Sequence, residues 1–344
     1  LYVGFPLALY ESLNQLFKIL DTMMASHIGA SAVSAVAYLS QINMMISAVG
    51  TGLAVGASIK VSQAYGAGDF MLVKKRVSTM FAMCGALGIA ILLVLVPFTP
   101  EFLRLMNTPE EFIADGSTYF RLELFGMVIT FFNNVYIAIE RARGNSKRIL
   151  IFNTAVIVVK LGLTAWFVYG LGGGINMISC ATIISQSLLL LAACINMNQK
   201  GNAFGFSLRA ISIKKEVICP MLTLSFPVIV ERIAFAVGKV IVNSMSTVYG
   251  SWTVGALGIS NNIGGITTNP QNGFQEGGSS IISQNLGAGR PKRALLAFRW
   301  VLYIDMFIGL VIMTASLLCL NQLAGLFAGD NAEFAEMIKQ IYRF

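Results

Sequence analysis

Three ionisable residues stand deep inside runs that are otherwise apolar: Glu11 and Asp21 near the start of the chain, and Lys160 in its middle. At the centre of a helix in lipid each charge costs at least ~2.5 kcal/mol, so each must face a cavity or a partner. A carboxylate so placed can take up a proton or hold a monovalent cation. An ammonium beside it can replace that cation, or be released when the acid is protonated. Lys60, Glu123 and Arg232 fall near the ends of apolar runs, where snorkelling or a structural ion pair accounts for them. A second polar group is written NNIGGITTNPQNGFQEGGSS from Asn261. Its Asn261, Asn262, Asn269, Gln275 and Glu276, with Glu231 as a further acid, suit the lining of a substrate cavity better than a lipid face. Pro6 and Pro227, near the start of two apolar runs, and Pro270, inside a third, remove helix hydrogen bonds and can bend the helix or free a carbonyl.

Other chemistries have little to stand on. His27 is the one histidine, and the five cysteines lie in apolar runs without CxxC spacing, so neither a metal site nor a disulfide is expected. The chain carries no nucleophile motif or phosphate loop, so an enzyme and a cofactor are not expected either. Glu11, Lys18 and Asp21 interrupt the first segment, which therefore does not read as a cleavable signal peptide.

The elements that must position these residues are membrane helices. Only 12% of the residues are charged and 56% are hydrophobic, against roughly 25% charged in a soluble domain. Continuous apolar runs exceed the ~20 residues that cross a bilayer as helix, and lack the alternation of a β-barrel. Nine spans are predicted, near 3–27, 32–60, 77–97, 118–140, 149–170, 175–197, 218–247, 252–283 and 295–320, with the start of a tenth near Glu333. Of the 24 Lys and Arg, 15 fall in alternate connections, after spans two, four, six and eight. The positive-inside rule then puts those connections and the N-terminus in the cytoplasm. The net charge of +8 thus reports topology, and no nucleic-acid partner is expected.

The spans repeat. SQ-x-x-GAG occurs at Ser62 and again at Ser283, and the 221-residue offset between them aligns fifteen identities from Pro6 to Gly68 without a gap. Among them are Pro6 with Pro227, Gly52 with Gly273 and Gly56 with Gly277. Six spans separate the copies, so the two face the same way, as parallel repeats about an axis along the membrane normal. Gly66, Gly68, Gly287 and Gly289 of the motif are read as structural, allowing a tight helix exit. The domain division expected is an N-terminal six-helix bundle over 1–200, a linker over 201–217, and a partial second bundle over 218–344. The second bundle is expected to be cut short after about three spans, because nothing in it matches 122–200.

Pro6, the LDTMMASHIGASAVSAVA run around Asp21, QAYGAGD at 63–69, RARGNSKR at 141–148, FVYG at 167–170 and SQNLGAG at 283–289 together resemble the multidrug and toxic-compound extrusion (MATE) family. The resemblance implies an all-α integral membrane protein of two tandem, pseudo-symmetric six-helix bundles facing each other in a V. It implies a bacterial or archaeal plasma-membrane antiporter, acting as a monomer, that exchanges Na⁺ or H⁺ for organic, often cationic, compounds by alternating access. Asp21 matches the family's span-one acid and so takes a cation- or proton-coupling role, with Glu11. Where the family has an Asn and, four residues on, an Asn or Asp in span five, this chain has Lys160 and Thr164. Glu231 lies four residues after Pro227, which is not the spacing expected of the family's span-seven acid. A lipid-linked sugar flippase of the same superfamily, with a more basic cavity around Lys60 and Lys160, is the alternative, and an inactive fragment is a further one.

Overall fold

The computed structural model describes all residues except 1, 27–29, 107, 109, 200, 201, 203, 329–331 and 344. The side chains of 17–26, 30–38, 41, 110–112, 114, 115, 243, 247, 251, 252 and 326–328 also lie outside the description. Among the described residues there is no strand. The helices are α1 (Gly4–Ser26), α2 (Ala30–Gly66), α3 (Phe70–Leu95), α4 (Thr99–Leu105), α5 (Glu110–Ala142), α6 (Ser146–Ala165) and α7 (Ile175–Met197). They continue with α8 (Lys215–Ser246), α9 (Ser251–Gly287), α10 (Pro291–Leu318), α11 (Leu320–Ala328) and α12 (Ala332–Arg343). A single π turn, Trp166–Gly170, prolongs α6.

Nine of these helices coincide with the nine predicted spans, and among the described residues seven of them are long and apolar enough to cross a membrane. The other two, α1 and α9, have the length, at 23 and 37 residues, and hold the polar residues singled out above. At 1.5 Å per residue α2 and α9 are about 55 Å long, well beyond the ~30 Å of hydrocarbon, so both project from it or tilt. The Lys- and Arg-rich connections fall at one end of the molecule, called here the basic end.

The core of the first copy is built around α5, which packs against α2, α3 and α7. Phe120, Phe131 and Tyr136 of α5 are fully buried, against Leu39, Met80 and other apolar side chains of the same cluster. In the second copy α12 sits on α9 much as the start of α5 sits on α2. The Ser260 hydroxyl donates to the Ile338 carbonyl at 3.3 Å; Leu39, 221 positions before Ser260, meets Gly116 of α5, which is next to Ser117, the counterpart of Ile338. Pro6 lies in the first turn of α1, where it displaces no helix hydrogen bond, and Pro270 is buried inside α9. Pro227 departs from expectation: with α8 starting at Lys215 it is well inside the helix, with Pro220 about two turns upstream.

Candidate functional site

The two copies meet along a seam made by their first two helices. α2 packs on α8 and α1 packs on α9. Close approach needs glycine at repeating positions. A β-carbon on Gly52 would stand 2.9 Å from Ile229 Cα, and one on Gly273 would stand 2.6 Å from Ala8 Cα. One turn further, Gly56 faces the Ser225 backbone and Gly277 faces Gly4. Ile229 and Ala8 are themselves 221 residues apart, as are Ser225 and Gly4, so the seam has the symmetry of the repeat.

At the basic end the SQ-x-x-GAG copies touch each other. A β-carbon on Gly66 would overlap the Gln284 carbonyl, and one on Gly287 would overlap the Gln63 carbonyl. Gly68 and Gly289 have open space around them and positive φ, 76° and 68°. The two glycines of each motif therefore do different work. The first admits the other copy's backbone, and only the second makes the tight exit that the sequence suggested for both. The Gln284 amide donates to the Ala142 carbonyl at 2.6 Å and ties α9 to the end of α5.

Just inside this contact lies an ionic network. Glu276 of α9 pairs with Arg141 of α5 and, at 3.3 Å, with Arg232 of α8. Glu11 of α1 lies within electrostatic reach of Glu276, Arg141 and Arg232. Glu276 thus faces two guanidinium groups, which suits a part-buried seam in which an unpaired carboxylate would be costly. Glu11 and Arg232 occupy equivalent positions of the repeat, so the pseudo-symmetric pair is of opposite charge. Sequence reasoning placed Arg141 in a loop and Arg232 at a span end; for Arg232 the signal that could have found it is this register.

Deeper along α1 and α9, Gln15 accepts from the Asn269 amide at 3.0 Å and donates to the Asn262 carbonyl at 3.3 Å. Asn262 and Asn269 thus belong to the seam, and Gln15, which sequence reasoning passed over, joins them. Asn261 and Gln275 are exposed on α9. Glu231 is exposed on α8 and makes no hydrogen bond or ion pair with a described residue, so it is not brought to Glu276.

Within the first copy, Glu123 accepts from the Asn43 amide at 3.0 Å and from the Ser179 hydroxyl at 2.8 Å, joining α2, α5 and α7. Taken from sequence for a span-end residue, it lies inside the span Gly116–Ala142. Thr164 is fully buried on α6, its hydroxyl without a hydrogen-bond partner among the described residues, and Lys160 lies one turn before it, half-buried. Asp21 is part of α1, but its side chain lies outside the described residues. Lys60 donates to the Gln63 side chain at 3.0 Å, near the basic end of α2.

A family model described as MatE matches residues 6–166 and again 227–344, two matches that begin 221 residues apart. The probable multidrug resistance protein YoeA of Bacillus subtilis is 25% identical over 334 residues, 95% of this chain and 72% of YoeA. The multidrug export protein MepA of Staphylococcus aureus is 22% identical over 353 residues, 99% of this chain and 76% of MepA. Among solved structures, an outward-facing multidrug resistance MATE family transporter of the MOP superfamily superposes with a TM-score of 0.92 at 22% identity, covering 99% of this chain and 76% of that one. A MOP superfamily transporter from Pyrococcus furiosus gives 0.91 at 22% identity, with coverage of 99% and 75%. At such identity the structures show the fold alone.

Proposed function

Because the chain belongs to the MatE family of multi-pass membrane transporters, we propose that it exports organic, chiefly cationic, compounds in exchange for Na⁺ or H⁺. Two bundles, over 1–200 and 218–344 and joined by the linker 201–217, rock about the seam and open a central cavity to one side at a time. The basic end faces the cytoplasm and the N-terminus lies there. The observation that carries this reading is the seam itself: a repeat-related contact with glycines at equivalent close approaches and the Glu276 ion pairs near the basic end.

In this scheme the Glu276–Arg141 pair and the Gly66 and Gly287 contacts close the cytoplasmic side. Asp21, with Glu11, Lys160 and Thr164, binds the coupling ion in the first bundle. Asn262 and Asn269 lie where the cavity meets the seam. A bound ion or proton shifts the equilibrium only by its difference in affinity between the two states, so it must favour one side of the opening. The names of YoeA and MepA, a multidrug resistance and a multidrug export protein, support export as the direction.

The test is efflux of a fluorescent organic cation from cells expressing the protein, with imposed proton or Na⁺ gradients, beside Asp21→Asn and Lys160→Asn. Gradient-driven efflux that Asp21→Asn abolishes supports the reading. Unchanged efflux and unchanged gradient dependence in Asp21→Asn would remove Asp21 from coupling. No efflux, with rescue of a flippase-deficient strain, would replace the export reading with lipid flipping.

A further inference from the structure

A cavity of about 630 Å³ lies outside the seam, between α1, α9 and α10. Its walls are apolar and strongly aromatic: Phe5 and Leu9 of α1, Phe274 of α9, and Trp300, Tyr303 and Phe307 of α10. The one hydroxyl of α1 on its wall, Ser12, is already spent on the Ala8 carbonyl at 2.8 Å. Nothing polar in α1 therefore asks for water. The third wall, α10, is the least buried of the candidate spans, and Trp300, Tyr303 and Phe307 are 60%, 59% and 69% exposed. Aromatic side chains on such a face suit hydrocarbon and its interface.

The repeat supplies a comparison on the other side of the molecule. The α3 residues equivalent to Arg299 and Trp300 are Ser78 and Thr79, and there the segment that leads into α8 lies across the helix. The Ser207 amide donates to the Ser78 hydroxyl at 3.1 Å, and the Ser212 amide donates to the Thr79 hydroxyl at 3.1 Å. Phe206 packs edge-on against Phe81, with ring centroids 5.6 Å apart. On the α10 side the same two positions carry a cation and an indole, both exposed.

Depth and charge say what these two residues suit. α10 has 28 residues, about 42 Å at 1.5 Å per residue, some 12 Å more than the ~30 Å hydrocarbon core. With the surplus at the basic end, where Arg290, Lys292 and Arg293 cluster, Arg299 stands at headgroup level. Trp300 and Tyr303 then fall in the interfacial aromatic belt. Arg299, Tyr303 and Phe307 follow one another at four-residue spacing, so the guanidinium heads the stripe that lines the cavity.

We propose that this groove is a binding site for one anionic phospholipid, its phosphate on Arg299 and one acyl chain in the α1–α9–α10 cavity. Because α1 belongs to one bundle and α9 and α10 to the other, the bound chain bridges both. The proposal needs only membrane insertion, and stands or falls separately from the transported substrate.

Trp300 reports on the site. In a Trp166→Phe, Trp252→Phe background the protein is reconstituted in phosphatidylcholine vesicles containing either brominated phosphatidylglycerol or brominated phosphatidylcholine, and Trp300 fluorescence is recorded. The expected result is quenching by the brominated phosphatidylglycerol at about fivefold lower mole fraction, the enrichment one interfacial arginine gives. Arg299→Gln should abolish that preference, and a protein keeping only Trp166 should show none. Native mass spectrometry adds an independent readout: one phospholipid retained by the parent and lost in Ile308→Phe, which fills the cavity. Equal quenching by the two lipids, or a preference that survives Arg299→Gln, would overturn the proposal.

Discussion

Gly287 of α9 lies so close to the backbone carbonyl of Gln63 in α2 that no β-carbon fits between them, and the repeat reproduces the contact between Gly66 and Gln284. Two helix ends that each carry the same short motif thus use it against one another. Gly287→Ala and Gly66→Ala should each cost on the order of 1–3 kcal/mol, since backbone rather than a movable side chain is in the way. The control is Gly68→Ala, which meets no atom but strains a left-handed residue and should cost roughly 1 kcal/mol. Gly68→Asn should recover part of that loss, and Gly66→Asn none. Thermal unfolding in detergent would separate the two kinds of glycine.

The Glu276–Arg141 pair spans two bundles, so its loss should act on their separation as well as on stability. Glu276→Gln leaves Arg141 with a neutral partner. We expect a cost of about 2–3 kcal/mol, below the figure for a wholly buried pair because Glu276 is a fifth exposed. A single cysteine at Asn269, in a background without the five native cysteines, should become more accessible to thiol reagents from the basic end in Glu276→Gln. Unchanged labelling would show that the pair does not hold the seam shut.

Glu123 binds two neutral donors on neighbouring helices. Ser179→Ala removes a hydrogen bond to a carboxylate and should cost about 1.5–3 kcal/mol. Glu123→Gln keeps the shape and should cost less than Glu123→Ala, which also opens a void in the first bundle. The order of the three melting temperatures checks this.

The turn after α2 is held by Asp69, whose carboxylate accepts from the Leu72 amide at 2.9 Å. Asp69→Ala should destabilise the start of α3 by roughly 1 kcal/mol, and Asp69→Asn by only a few tenths. The equivalent Arg290 makes no side-chain cap, and Pro291 follows it at the first turn of α10. Arg290→Ala should therefore leave stability nearly unchanged. Hydrogen exchange at the first amides of α3 and α10 would read both.

What could be read without a structure was whatever depends on solvent and on register. Apolar runs longer than a bilayer mark helices wherever they lie, because backbone groups in hydrocarbon must be satisfied within their own segment. The predicted span 175–197 and α7 agree to the residue. The offset of 221 residues needs only identities in line, and it located both seam helices of each copy. Partners were another matter. Glu11 and Glu276 carried different expectations, one for coupling and one for the cavity, and folding puts them in one network with Arg141 and Arg232. Gly66 and Gly68 looked alike as helix-exit glycines, two residues apart, until the second copy of the motif came against the first. Gln15 carries no charge and so drew no attention until Asn269, 254 residues away, reached it. Hydropathy and periodicity are properties of a segment and its solvent. Which carboxylate meets which guanidinium depends on where helices from the two copies cross, and only the tertiary structure decides that.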